Sequence, residues 1–314
     1  MHLTLTQLEY IVALDTYGSF LSASEKIFVT QPTLSMQIKK LEDQLGLILF
    51  DRSKQPVVAT EAGKLIVEQA KKVLLEASRI KEIAEEQDNR IRGKVRVGII
   101  PTIAPYILPV FLSKFLKKHK EAGISVEEMI TERIIEKIQN YELDCGILAT
   151  PLPVSGINVY PLLYEPFVAY ADKSSSISKK KIINLNDVDL NEMWILNEGH
   201  CMRNQVENMC LGSIPGRKKN NFEYQSGSIE TLIRLVDNNG GFTILPELSI
   251  KNFSASQMNK VRYFREPEPS REISLATPKN VIRKKIIDAL KTEIINSVPD
   301  KMKNKNRKAV VKIS

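Results

Sequence analysis

Phe20-Leu21-Ser22-Ala23-Ser24-Glu25-Lys26-Ile27-Phe28-Val29-Thr30-Gln31-Pro32-Thr33-Leu34-Ser35 is the stretch whose reading decides the N-terminal fold. Ser19 can cap a short helix over Ser19–Ile27, in which Ala23 is small enough for close helix contact. Phe28-Val29 makes a turn, and Thr30 caps a second helix whose first turn holds Pro32, where a missing N–H does no harm. That helix, Gln31–Leu45, carries Leu34, Ile38, Leu41 and Leu45 on one apolar stripe and ends at Gly46. Its other side offers Gln31, Thr33, Ser35, Met36, Gln37 and Lys40. A preceding helix is expected over Leu5–Thr16, broken by Gly18 and Ser19. Phe50 to Thr60 reads as two short strands around a tip at Gln55-Pro56, a small wing.

A helix-turn-helix sets its second helix in the DNA major groove, N-terminal residues first. Gln can pair with adenine, and Ser or Thr can bond to bases or phosphate. The candidate reading residues are therefore Thr30, Gln31, Thr33, Ser35 and Gln37, with Lys39, Lys40 and Arg52 as phosphate contacts. A purely dimerising helical module is the alternative. Charge does not decide between them. The chain carries a net +8, yet residues 1–60 hold five Lys/Arg against six acids, a net of −1. Residues 278–314 hold eleven Lys/Arg against three acids, so a basic C-terminal tail over 300–314 contributes much of the excess.

With 314 residues and 43% hydrophobic content, the chain can fill two or three cores. Met1-His2-Leu3-Thr4 lacks a basic patch before an apolar run, and no 18 apolar residues run together. Neither a secretory signal nor a membrane span is expected. Three cysteines are too few for a disulfide scaffold and fit a reducing, cytoplasmic setting.

A long helix is expected from Thr60 or Glu61 to about Arg90, with Leu65, Val73, Ile80 and Ala84 on an apolar stripe. Nearly thirty residues with few breakers imply a partner helix, hence a dimer. Beyond a hinge at Ile91-Arg92-Gly93, strands at Val95–Ile99, Ile124–Met129 and Leu143–Leu148 alternate with helices at Pro109–Lys120 and Glu132–Asn140. That rhythm predicts a mostly parallel sheet. Further strands are expected at Tyr164–Tyr170, Trp194–Leu196, Phe242–Leu245, Val261–Phe264 and Ile273–Ala276, with helices at Gly227–Asn238 and Ile282–Ser297.

The motif Phe20–Ser35, continued by Ile38-Lys39-Lys40-Leu41-Glu42-Asp43-Gln44-Leu45-Gly46, Leu49-Phe50-Asp51-Arg52 and Thr60-Glu61-Ala62-Gly63, resembles the LysR-type transcriptional regulators. The resemblance implies a winged helix-turn-helix over 1–60, a dimerising linker helix over 61–91, and a two-subdomain α/β regulatory domain over 92–299 resembling periplasmic binding proteins. The first subdomain takes 92–163 and 268–299, the second 164–267. It also implies double-stranded DNA and RNA polymerase as partners, a homotetramer, no cofactor and no membrane.

Of the thiols, Cys145 follows Asp144 in an apolar strand and reads as a buried core residue. Cys201 and Cys210 lie nine residues apart in a polar stretch with His200 and Arg203, neighbours that can lower a thiol pKa. A redox pair, a metal site and two unrelated thiols all fit, although His200, Cys201 and Cys210 supply only three ligands at an unusual spacing for zinc. Gly199–Gln205, Gly227–Leu232, Gly240-Gly241, Leu245-Pro246 and Pro267–Arg271 resemble peroxide-sensing members of the LysR-type family. That resemblance makes Cys201 the peroxidatic and Cys210 the resolving cysteine. It places Thr102, Thr131, His200 and Arg271 around hydrogen peroxide, with a thiol reductant resetting the switch and no enzymatic turnover. Asn204 departs from the pattern, which has Asp there. The rival expectation is a regulator that binds a small metabolite between subdomains, lined by Thr102, Ser228 and Thr231.

Overall fold

A computed structural model describes residues 3–86, 90–196, 201–209 and 228–313. They form two compact units, Met1–Asp88 and Asn89–Ser314.

In the first unit, α1 (Leu5–Tyr17) starts with a capping box. Thr4 Oγ1 accepts from the Gln7 N–H and Gln7 Oε1 from the Thr4 N–H, pairing two donors that helix geometry leaves open. Gly18 closes it at φ 61°, a conformation glycine adopts without a Cβ penalty. Ser19 caps α2 (Phe20–Lys26), and Thr30 caps α3 (Gln31–Leu45), which ends on Gly46. Leu34, Ile38 and Leu41 are fully buried against Leu8, Ile11 and Leu14. The wing is β1 (Phe50–Asp51) paired antiparallel with β2 (Val58–Ala59). Helix α4 (Glu61–Glu86) divides its apolar residues: Val67 and Ala70 enter the core of this unit, while Leu65 and Ile80 are 70% and 73% exposed.

One carboxylate joins α3 to the wing. Glu42 Oε1 accepts from the N–H groups of Leu49 (2.8 Å) and Phe50 (3.3 Å), and Oε2 accepts from Arg52 Nη2 at 2.7 Å. The Arg52 guanidinium also lies over the Phe20 ring at 5.3 Å. The turn into the wing therefore has its Leu49 and Phe50 backbone donors satisfied from within α3.

The second unit opens with β3 (Gly93–Ile99), α5 (Ala104–Lys118), β4 (Ala122–Glu128), α6 (Thr131–Gln139) and β5 (Cys145–Thr150). The three strands run parallel in the order β4-β3-β5, as their rhythm predicts. Helix α5 begins at Ala104, five residues before the expected Pro109. Pro105 sits in the first turn at no cost, and Pro109 forfeits one hydrogen bond in a helix anchored by the buried Ala104, Ile107, Phe111 and Phe115.

The chain continues through β6 (Ile157–Ala171), β7 (Ile182–Ile183), β8 (Met193–Trp194), α7 (Cys201–Met209) and α8 (Ile229–Asn239). Then come β9 (Phe242–Pro246), α9 (Ala255–Met258), β10 (Val261–Phe264), β11 (Glu268–Pro278), α10 (Lys284–Ser297) and β12 (Lys308–Val310). The sheet is mixed rather than mostly parallel, because β11 runs antiparallel to both β5 and β6. Strand β6 also pairs antiparallel with β9 and β10, so it belongs to two sheets. One covers a core built on Val97, Ile99, Phe111, Ile147 and Leu290, the other a core built on Phe167, Tyr170, Ile233 and Ile244. The lysine-rich end, expected as a charged tail, contributes β12, which pairs parallel with Glu268–Ser270.

Replacing Glu42 by Ala leaves two backbone donors and Arg52 without their acceptor. We expect it to destabilise the N-terminal unit by about 2–4 kcal/mol in urea unfolding followed by far-UV circular dichroism. Unchanged stability would show that the carboxylate does not brace the wing.

Candidate functional site

On α3 the structure exposes Gln31, Met36, Lys39 and Lys40, and leaves Thr33, Ser35 and Gln37 partly exposed. Gln31 and Ser35 stand one turn apart, so they share a face. Thr30 has a local duty: its hydroxyl accepts from the Thr33 N–H and lies 2.8 Å from Thr33 Oγ1. Arg52 is engaged by Glu42 and Phe20, with its side chain 39% exposed.

In the second unit, Cys201 is the first residue of α7 and partly buried. Its Sγ is 3.0 Å from Oγ1 of Thr131, the first residue of α6. Both groups thus sit where helices present unpaired N–H donors and positive dipole ends, a setting that favours a thiolate. Burial nevertheless pushes the Cys201 thiol above its ordinary value; the hydrogen bond from Thr131 and the nearby Arg271 charge pull the other way. The sequence reading expected neighbours to lower it. Arg203 is not available for that, because its guanidinium donates to Glu207 Oε1 at 2.9 Å and to the Leu196 carbonyl at 3.3 Å.

Arg271 lies on β11 directly opposite Glu165 on β6, and both side chains are 1% exposed. Arg271 Nε and Nη2 reach Glu165 Oε2 at 2.9 and 2.8 Å. Nη1 donates to Thr102 Oγ1 at 3.2 Å and Nη2 to the Thr102 carbonyl at 3.0 Å. The second carboxylate oxygen accepts the Leu248 N–H at 2.8 Å. Thr102, Thr131, Cys201 and Arg271 are therefore brought to one region. Glu165 was missed by the sequence reading, since a lone acid inside Tyr164–Tyr170 carries no signal until its partner across the sheet is known. Beside this cluster, Tyr106 donates to Glu230 Oε1 at 3.4 Å, and burial raises its pKa. Ser228, considered above as a cleft residue, caps α8.

His200 and Cys210 lie outside the described residues. Cys145 is fully buried on β5, and burial raises its pKa. Among the described residues no cluster of three His, Cys, Asp or Glu side chains could hold a metal, and no helix is long and apolar enough to cross a membrane.

Two family profiles match the chain. One is described as the bacterial regulatory helix-turn-helix protein, lysR family, over residues 5–64; the other, the LysR substrate binding domain, spans residues 88–296. The chain is 33% identical to the hydrogen peroxide-inducible genes activator of Haemophilus influenzae over 273 residues, 87% of this chain and 90% of that one. It is also 33% identical over 279 residues to the HTH-type transcriptional regulator EstR of Acinetobacter baylyi, covering 88% and 91%. A solved full-length OxyR from Pseudomonas aeruginosa superimposes with a TM-score of 0.75 at 32% identity, covering 95% of this chain and 99% of that one.

Alkylation by iodoacetamide reports the thiolate. In reduced protein its rate at Cys201 should keep rising with pH beyond the ordinary thiol value of about 8.5. Thr131→Val removes the hydrogen bond that lowers the pKa, so it should move the inflection further up. A plateau already reached at neutral pH would contradict the buried-thiol geometry.

Proposed function

The chain belongs to the LysR family of bacterial helix-turn-helix regulators, and on that footing we propose that it is a peroxide-sensing transcription regulator switched by a reversible Cys201–Cys210 disulfide. The observation that carries this reading is Cys201 at the start of α7, with Thr131 at 3.0 Å and the buried Arg271–Thr102 pair close by.

The chemistry follows from those groups. The Cys201 thiolate attacks one oxygen of hydrogen peroxide, the O–O bond breaks, and hydroxide leaves. Cys201 becomes a sulfenic acid, and the thiol proton converts the hydroxide to water. Hydroxyls of Thr102 and Thr131 and the Arg271 charge are the groups suited to hold the peroxide and stabilise the leaving oxygen. His200 has a share in this by resemblance alone. The Cys210 thiolate then attacks the Cys201 sulfur, a disulfide forms, and the departing hydroxide takes a proton to become the second water. Two equivalents of a thiol reductant return both cysteines to thiols. Peroxide is consumed once per switching event, as befits a regulator rather than an enzyme.

Geometry then links chemistry to shape. The first and last residues of α7 are about 12 Å apart along the axis, at about 1.5 Å per residue. One further residue spans about 3.8 Å, whereas a disulfide needs its Cα atoms within about 7 Å. The pair cannot close while α7 is intact, so oxidation must unwind it. Unwinding is the local event that can bias contacts elsewhere in the regulatory unit and, through an assembly of four subunits, the spacing of the DNA-reading heads. The exposed Leu65 and Ile80 of α4 supply the apolar face for the homodimer on which that assembly is built. RNA polymerase is the downstream partner that the family implies.

Stoichiometric peroxide should yield an intramolecular Cys201–Cys210 disulfide by mass mapping and should change operator binding. Cys201→Ser should abolish both responses. A peroxide response unchanged by that substitution would sink the redox reading and favour a metabolite ligand between subdomains.

On the DNA side, Gln31→Ala and Ser35→Ala should each erode sequence preference, by about 1–3 kcal/mol where a bidentate base contact is lost. Lys39→Ala should weaken binding uniformly and flatten its salt dependence. Equal loss on every sequence for all three variants would leave phosphate contact as their whole role.

A further inference from the structure

The lysine-rich end of the chain is built into the candidate site from behind. Met302 is 1% exposed and lies in the core formed around β3 and β5. Arg307 then offers its carbonyl to the Glu268 N–H at 2.9 Å, β12 pairs with Glu268–Ser270, and the Val311 N–H donates to the Ser270 carbonyl. Ser270 immediately precedes Arg271. Lys308, within β12, has its side chain 3% exposed with its amine 3.8 Å from Glu268 Oε2. A lysine held so far from water is a packed residue, not part of a loose polycation.

The same segment touches the other side of the site. Gln205, fully buried on α7, donates Nε2 to the Val311 carbonyl at 3.3 Å, and Asn208 donates Nδ2 to the Lys312 carbonyl at 3.2 Å. Val311 packs against the core around β9, while Ile313 joins the core around β3. The inner face of α7 is packed as well: Met202, Val206 and Met209 are buried in the core around β9, beside a small pocket lined by Trp194, Leu196 and Leu232. Gln205 Oε1 is buried with no hydrogen-bond partner among the described residues. The helix that carries Cys201 is thus tied to the C-terminal segment by two side-chain amides, in addition to its buried apolar face.

We propose that residues 303–313 are a clasp that positions α7, and with it Cys201, in the reduced protein, and that formation of the Cys201–Cys210 disulfide releases it. The release half rests on the function proposed above. Unwinding α7 removes the helical spacing that presents Gln205 and Asn208 to adjacent carbonyls, so both tethers break together. The positioning half stands without peroxide. It makes Gln205 and Asn208 positioning residues that act through the segment they hold.

Both halves are tested on the full-length protein. Iodoacetamide labelling of reduced wild type is compared with the Gln205→Met/Asn208→Leu double variant, with Cys145 as internal control. Two lost hydrogen bonds correspond to roughly a 10- to 30-fold shift in local opening. Cys201 labelling should accelerate by that order while Cys145 stays unreactive. Faster labelling of both cysteines would mean general unfolding and would overturn the clasp, as would no change at Cys201. Trypsin cleavage at Arg307 and Lys308 should be slow in the reduced protein and fast after peroxide, with no peroxide effect in Cys201→Ser. Unchanged protection in protein whose disulfide has been mapped overturns the release and leaves the peroxide switch standing. Failure of peroxide to form the disulfide, together with faster Cys201 labelling in the double variant, removes the switch and leaves the positioning clasp.

Discussion

Arg271 and Glu165 face each other across two strands, out of reach of water, and the geometry of the regulatory unit depends on their pairing. Taking either charge out of water costs several kcal/mol, which only close contact and complete hydrogen bonding can offset. Here that condition is met. Both carboxylate oxygens accept bonds, and Nε, Nη1 and Nη2 all donate. The partners come from four separate places: β6, β11, Thr102 after β3, and Leu248 after β9. Loss of Arg271 or Glu165 would leave an uncompensated charge in the interior and loosen the ties to Thr102 and Leu248. The same network fixes the direction from which positive charge reaches Cys201, so scaffold and reactive site share one set of bonds.

The N-terminal unit was legible in the sequence because its signals are local. Ser19 and Thr30 act as caps, Gly46 as a stop, and Leu34, Ile38 and Leu41 as the buried stripe, each acting within one or two helical turns. The regulatory unit was legible in its βαβ beginning and illegible where its contacts are long-range. Ile157–Leu163 did not read as strand because Pro161 interrupts it; the observed strand absorbs that residue beside a register shift opposite Ile273/Ser274. The start of α5 was placed late because Pro109 looks like an N-terminal signal, and tertiary burial of Ile107 and Phe111 overrides it.

The candidate site was divided in the same way. Cys201 stands out by its polar neighbours, but Thr102, Thr131 and Arg271 are 29 or more residues from one another and were reached only through resemblance. Glu165 gave no signal at all. The charged end misled because lysines dominated its composition, masking Met302, Val311 and Ile313, the apolar residues that place it. Charge misled at the other end as well: a head with a net of −1 keeps Lys39 and Lys40 exposed on α3 while Glu42 turns inward to satisfy the wing. What matters to a polyanion is where charges point, and a sum over sixty residues discards that.

Strand β6 has a mechanical consequence. Its outer residues bond to β11 and its far end to β9 and β10, so one continuous peptide ribbon serves both sheets. Relative rotation of the two halves cannot occur at a free hinge; it loads this ribbon in torsion, together with residues 265–267, which join β10 of one sheet to β11 of the other. The register shift leaves Leu162 without an opposite number, and bulges are where strands take up extra twist. The compliant point therefore lies three residues from Glu165, about 10 Å along the strand, so the twist of the regulatory unit and the ion pair that braces its site share one stretch of β6.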